Sequence, residues 1–401
     1  MTRRRAAGAE PLPFLAGAYV ATAAVPGVFL VVDGPYCIRT KADVQYAHDL
    51  GCDLLRPVGR SRVVLTDTSR DVEEVTGLAL DRVAHVERVL ATVARWPEAS
   101  AVVATSIDFH EVTGFPLGRV AARVAASSPV PVLHLPSRSL GGDWLEGYAG
   151  FCECLAGGLD LPAGPRRREA VLVVGHLMDR GEPDQVANVA ELERLLNGLG
   201  AEAAGVWLSG SPIDGLAEAA ARAGTVVALP YARETAATVA RRTGAALVEA
   251  PLPVGLSASE AFVRAIAEPL GTQARATAFV EDEVGRAIRD TERHVARFLA
   301  SRPVRVELPD PVLASALVRL CEDMGIAASA EAAASAPRPD DAPAGLVLSN
   351  GLSASRGDPG YVPVGYPNYL DHPVLPRPML GFAGYRCLVG RMCEAALRTE
   401  A

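Results

Sequence analysis

The sequence is most informative first through what it lacks. Its seven cysteines include no CxxC pair, so a self-contained zinc site or a four-thiolate cluster within one chain is not expected. Their count is odd and no leader to an oxidising compartment is apparent, which argues against a disulfide framework and for a cytoplasmic protein. No apolar run approaches the roughly 18 residues of a membrane helix, and a membrane partner is not expected. Basic residues are outnumbered, 39 against 47, for a formal net charge of -8. Nucleic acid therefore has no electrostatic footing. No GxGxxG follows a strand and no P-loop is present, so any ATP hydrolysis must reside in another protein. The Gly-Leu-Gly at 198–200 is a helix stop. Aromatic residues make up only 5% of the chain, yet hydrophobic residues reach 49%. The core is therefore made of small aliphatic side chains, and disorder is not the default.

What is present is an alternation, made three times, of short Val/Leu-rich runs with longer Ala/Arg/Glu-rich helical patterns. That alternation predicts an α/β protein of three Rossmann-like units, their mostly parallel sheets flanked by helices. The first unit, residues 1–165, holds "GVFLVVDG", "RVVLTD", "ASAVVATS" and "VPVLHLP" as strands and closes in "GGLDLPAGPRRRE". That closing stretch reads as a linker, its Arg166-Arg167-Arg168 run solvated. The second, 166–275, runs from "AVLVVGHL" to about Gly271. A long helical pattern, Glu281 to Ala300, opens the third unit, 276–401, which contains the flexible-looking stretch Ala332 to Pro343.

Open α/β sheets bind ligands at the carboxyl ends of their strands, so the loops there hold the candidate residues. In "VVDGPYC" a buried-type strand stops at Asp33-Gly34-Pro35 and presents Cys37 before a helix. His110 and Glu111, on "ATSIDFHEVTG", suit proton transfer, since imidazole titrates near neutrality; the bland alternative is a solvated loop histidine. Arg138 and Asp143 in "PSRSLGGDW" would bind substrate carboxylates or fix their loop, and His372 in "YPNYLDHP" is similar. Cys152 and Cys154 fall two apart on a helix, poor geometry for sharing one metal. Cys52, Cys321, Cys387 and Cys393 lie in amphipathic patterns as apolar fillers.

The order of these loops resembles the nitrogenase component 1 type family, which includes the subunits of the molybdenum-iron protein and of dark-operative protochlorophyllide reductase. "VVDGPYC" is similar to the family's strand followed by His-Gly-Pro-x-Gly-Cys, with Asp33 in place of the histidine and one residue fewer before the thiol. "RVVLTDTSRDVEEVTG", "VPVLHLPSRSLGGDWLEGYAGF" and "TVVALPYARETAATVARRTG" continue the series in order. The stretch "YVPVGYPNYLDHPVLPRPMLGFAGYRCLVGRM" looks most like the family's β-type subunit. Departures accompany the likeness. "PFLAGAYVAT" has no cysteine, Ile107 and Asp108 stand where another would fall, and the middle-domain loop that carries a cofactor-holding cysteine in nitrogenase reads "VVALPYARE".

The resemblance implies an iron-sulfur cluster shared with a partner subunit, an α-type homologue supplying three thiolates, and a separate ATP-dependent iron-sulfur reductase that delivers electrons. Cys37 would complete the cluster, because soft thiolate sulfur matches iron. Asp33 and Asp108 would be alternative oxygen ligands, against the plainer reading of both as turn or helix caps. Nitrogen reduction by this chain is not expected. The competing readings are a cluster-free scaffold or maturation protein that binds a metallocofactor precursor or tetrapyrrole-like ligand, and an interaction subunit with no ligand.

Overall fold

The computed structural model describes residues 12–46, 49, 62–66, 79–107, 110, 112–138, 141–161, 166–331, 345–350, 359–369 and 371–400. It contains three four-stranded sheets, each wholly parallel and each in the same order. In the first, β1 (Val28–Asp33) lies between β2 (Val63–Leu65) and β3 (Ala101–Ser106), and β4 (Val132–His134) forms the edge, giving β2-β1-β3-β4. The second comprises β5 (Arg167–Val174), β6 (Glu202–Val206), β7 (Ala223–Ala228) and β8 (Ala246–Glu249) in the order β6-β5-β7-β8. The third repeats the arrangement as β10-β9-β11-β12, from β9 (Val304–Glu307), β10 (Ala328–Glu331), β11 (Leu346–Ser349) and β12 (Tyr361–Pro363).

Central strands of such sheets are covered on both faces, so they read as unbroken apolar runs without alternation. In β1 and β3 every residue is buried, whereas the edge strand β8 is largely exposed. Register follows from that burial: Leu30 stands opposite Val63 on one side and Val103 on the other, and Val306 opposite Leu348 in the third sheet. The Arg166–Arg168 run is not a linker throughout. Arg167 and Arg168 open β5, where Arg167 pairs with Glu169 at 2.9 Å and with Glu202 on β6 at 2.6 Å. The expected long helix starts earlier than Glu281, at Gln273, runs to His294 and continues as a π-helical turn, Val295–Leu299.

One hydrophobic core runs through all three sheets, from Phe14 to Ala396. Its middle is the helix Phe14–Ala23, buried from Phe14 to Thr22, packed on the helix Trp144–Gly158. Two glycines allow that approach. A Cβ on Gly17 would lie 1.7 Å from the Trp144 carbonyl oxygen, and one on Gly147 1.9 Å from that of Phe14. A second, smaller core covers the other face of the first sheet, with Phe29 and Trp96 edge to face at 5.2 Å.

Candidate functional site

A strand order of 2-1-3-4 reverses direction between its two central strands, and a crevice opens at their carboxyl ends. In the first sheet those ends are Asp33 on β1 and Ser106 on β3. The Asp33 carboxylate, 1% exposed, lies there among three side-chain donors. The Thr66 hydroxyl, just past β2, donates to its Oδ1 at 2.8 Å; Arg82 Nη2 and His110 Nδ1 donate to its Oδ2 at 2.6 and 2.9 Å. A carboxylate only accepts, so this contact places the imidazole proton on Nδ1. Burial alone would raise the Asp33 pKa. The hydrogen bond and charge of His110, then Arg82 and the Thr66 hydroxyl, outweigh burial and hold it below the ordinary carboxylate value. Thr66 also accepts from the Gly34 amide at 3.2 Å, and Arg82 lies 4.1 Å over the Phe115 ring. The network thereby holds the start of the turn that leads to Cys37, at Asp33 and Gly34.

Cys37 opens the helix Cys37–Tyr46 and is exposed, next to Tyr36, which is 64% exposed. The other described cysteines differ in setting. Cys152, Cys321 and Cys393 are buried and Cys154 and Cys387 half-buried; burial pushes the thiols of Cys154 and Cys321 up to about 12 and that of Cys393 to about 11. Those thiols stay protonated at neutral pH. Among the described residues no three His, Cys, Asp or Glu side chains converge as a metal site. Among the described residues the donors on offer are one exposed thiol, Cys37, and no convergent set that would hold a cluster alone.

The remaining expected site residues do not gather here. Asp108 and Glu111 lie outside the described residues, as do Cys52 and the stretch Ala332 to Pro343. Arg138 is exposed. Asp143 caps the helix Trp144–Gly158, accepting from the Leu145 and Glu146 amides at 2.9 and 3.0 Å while Glu146 accepts from its own amide. His372 meets Glu182 at 2.8 Å, beside Arg180, which is shared by Asp179, Glu182 and Asp184. His110 is 3% exposed, not the solvated loop residue of the bland reading. Arg82 and Thr66 escaped the sequence reading because they stand 49 and 33 residues from Asp33.

The family model described as nitrogenase component 1 type oxidoreductase matches residues 15–358. The chain belongs to this family. Among solved structures it is similar to "Nitrogenase Cp1 at pH 6.5", with a TM-score of 0.76 and 14% identity over 100% of this chain and 95% of that one. It is also similar to "Nitrogenase Cp1 at pH 5", with a TM-score of 0.58 and 13% identity over 85% of this chain and 69% of the other. Identities this low show a shared fold alone. No curated protein matches the chain in sequence.

In this member of the family the three sheets meet at a second place that sequence reasoning missed. The loop after β7 carries Tyr231, the loop after β9 carries Asp310, and the loop after β5 carries His176. Tyr231 donates its hydroxyl to Asp310 Oδ2 at 2.6 Å, and Tyr148 donates to the His176 carbonyl at 2.6 Å. Tyr231, Asp310 and His176, with Trp144 and Tyr366, line a small pocket of about 30 Å³, room for roughly one water molecule. His176 Nε2 and Trp144 Nε1 border it without a hydrogen-bond partner among the described residues. Burial pulls the His176 pKa down to about 4, so the ring is neutral at physiological pH. The loop "VVALPYARE" thus runs into a narrow junction at which Trp144, Tyr231 and Tyr366 meet. The residues present do not fit a large metallocofactor there.

Proposed function

We propose that this chain is a β-type subunit of a nitrogenase-like two-component reductase, completing an iron-sulfur cluster at the interface with an α-type homologue. The observation that carries the reading is the setting of Cys37. It is the one exposed cysteine among those described, at the carboxyl end of the first sheet, on a turn whose first residues, Asp33 and Gly34, are held by the buried network. A ligand shared between two subunits must be reachable from outside its own chain and yet rigidly aimed. A cluster in that place stores and passes electrons; the chain's own part is to offer one thiolate and hold its loop. A separate ATP-dependent iron-sulfur reductase would donate the electrons. Asp33, committed to Arg82, His110 and Thr66, serves in this reading as the anchor of the loop and not as an oxygen ligand. The soluble complex would work in the cytoplasm on a substrate that the partner helps to enclose.

The test is coexpression with an α-type homologue under anaerobic conditions, comparing wild type with Cys37→Ala and with Cys321→Ala as the packing control. The expected result is loss of iron and of the sulfur-to-iron absorbance for Cys37→Ala only. Cys321→Ala should cost about 1 kcal/mol or somewhat more of stability, with iron retained. Full iron in the Cys37→Ala complex would remove the interfacial role.

The narrow junction favours a second reading, a cluster-free scaffold or maturation protein. A chain whose three-sheet junction has no room for a large cofactor would instead hold a precursor elsewhere on its surface. Coexpression separates the two readings, since any iron that a scaffold holds would not depend on Cys37.

A further inference from the structure

A cleft of about 680 Å³ opens between the helix Trp144–Gly158, which follows the first sheet, and the loop and helix that follow β7 in the second. It sits at the carboxyl ends of β4 and β7, the ends at which parallel sheets receive ligands. Two sets of its polar groups bear on what it could bind.

The first set attracts an anion. The helix Arg233–Thr243 begins here, and its N-cap residue, Ala232, has no side chain with which to cap the free amides of the first turn. Thr235, in that turn, lines the cleft and is 1% exposed, and its hydroxyl has no hydrogen-bond partner among the described residues. Arg138 and Arg233 stand exposed at the mouth. The second set attracts a donor. Glu153 projects from the Trp144–Gly158 helix; its Oε1 accepts from Thr238 at 2.7 Å, while its Oε2 is buried without a partner. Thr238 is three residues beyond Thr235 on one helix face, so the Glu153 carboxylate that Thr238 holds and the Thr235 hydroxyl lie against neighbouring turns of the same helix. Leu133, Leu135, Pro136 and Pro230 give the cleft an apolar wall, and beside Gly157 there is open space where a side chain would otherwise stand.

A ligand that satisfies both sets carries an anionic group and a cationic donor a few ångströms apart, with an apolar remainder. A phosphate fits poorly, because its double charge would face Glu153 and Glu234 together. We propose that this cleft binds a free α-amino acid with an apolar side chain. Its carboxylate sits on the helix start with Thr235, its ammonium on Glu153, and its side chain against the Leu/Pro wall. The proposal is independent of the cluster at Cys37.

Calorimetric titration of the full-length protein tests it with L-leucine and L-phenylalanine, alongside hydrocinnamate, which lacks the ammonium, and phenethylamine, which lacks the carboxylate. The expected result is saturable binding of an amino acid in the micromolar to millimolar range and at least roughly tenfold weaker binding of both truncated analogues. Glu153→Gln keeps the acceptor for Thr238 but loses the charge, and should weaken amino-acid binding by roughly tenfold or more while leaving hydrocinnamate binding no weaker. Thr235→Val should weaken both. A melting curve for each variant shows that it is folded. Failure of folded wild type to bind either amino acid, equal affinity for hydrocinnamate, or unchanged binding by Glu153→Gln would each overturn the proposal.

Discussion

Asp33 places a negative charge where water does not reach, and only its three donors make that tolerable. Replacing it by asparagine keeps the shape but leaves Arg82 and His110 facing a neutral amide in a buried site. Losing one member of such a network costs about 3–5 kcal/mol, so Asp33→Asn should lower the denaturant midpoint strongly at neutral pH. The pH dependence has a definite sign. The folded-state pKa of Asp33 lies below the ordinary value, so its stabilisation is fully present above the unfolded pKa, about 4, and is lost as pH falls through the folded value. The gap between wild type and Asp33→Asn should therefore narrow below about pH 4. A constant gap from pH 7 to 3 would mean that the carboxylate contributes packing alone. Little of this was legible in the sequence. Asp33 at a strand end reads equally well as a cap, and nothing local announces Arg82, which the sheet brings to it from the helix Ala79–Val93.

At the scale of elements the sequence was far more explicit, because a parallel strand covered on both sides must be apolar throughout and "GVFLVVDG", "AVLVVGHL" and "AGLVLSNG" can be little else. What misled was charge at an element's edge. Arg167 and Arg168 look solvated, and they are, but an exposed residue at the start of a strand still pairs through its backbone, and Arg167 stands opposite Ala223 on β7. The contact between the helices Phe14–Ala23 and Trp144–Gly158 was equally hidden, since glycine inside a helix pattern reads as a weakness and here it is the condition of packing. Gly17→Ala should improve helix propensity and yet destabilise the protein. Its methyl group would fall 1.7 Å from a backbone carbonyl, and backbone cannot rotate away as a side chain does. Overpacking of this kind costs about 1–3 kcal/mol, occasionally more. Thermal melting should show a lower midpoint for Gly17→Ala, while Gly157→Ala, whose Cβ meets nothing within 4 Å, should be neutral or slightly stabilising. Similar behaviour of the two variants would show that the helices can separate without penalty.

Across the whole molecule the three sheets are tied in a ring by phenols. Tyr148, after β4, donates to the His176 carbonyl after β5; Tyr231, after β7, donates to Asp310 after β9; and Tyr366, after β12, returns to Gln45 on the helix after β1. Each sheet sends one hydroxyl to the next, and all three tyrosines are buried at the junction. In Asp310 burial raises the carboxyl pKa against the lowering effect of the Tyr231 hydroxyl and the Val312 and Leu313 amides, so removing that hydroxyl leaves an oxygen unsatisfied in a dry place. Tyr231→Phe should thus cost about 1–3 kcal/mol, as should Tyr148→Phe. If the ring holds the sheets as one cooperative body, the double variant will not equal the sum of the singles, and a double-mutant cycle in urea should give a coupling of at least about 0.5 kcal/mol. Losses that add within about 0.3 kcal/mol would mean that each hydroxyl acts on its own pair of sheets, and that the common core from Phe14 to Ala396 carries the cooperativity without them.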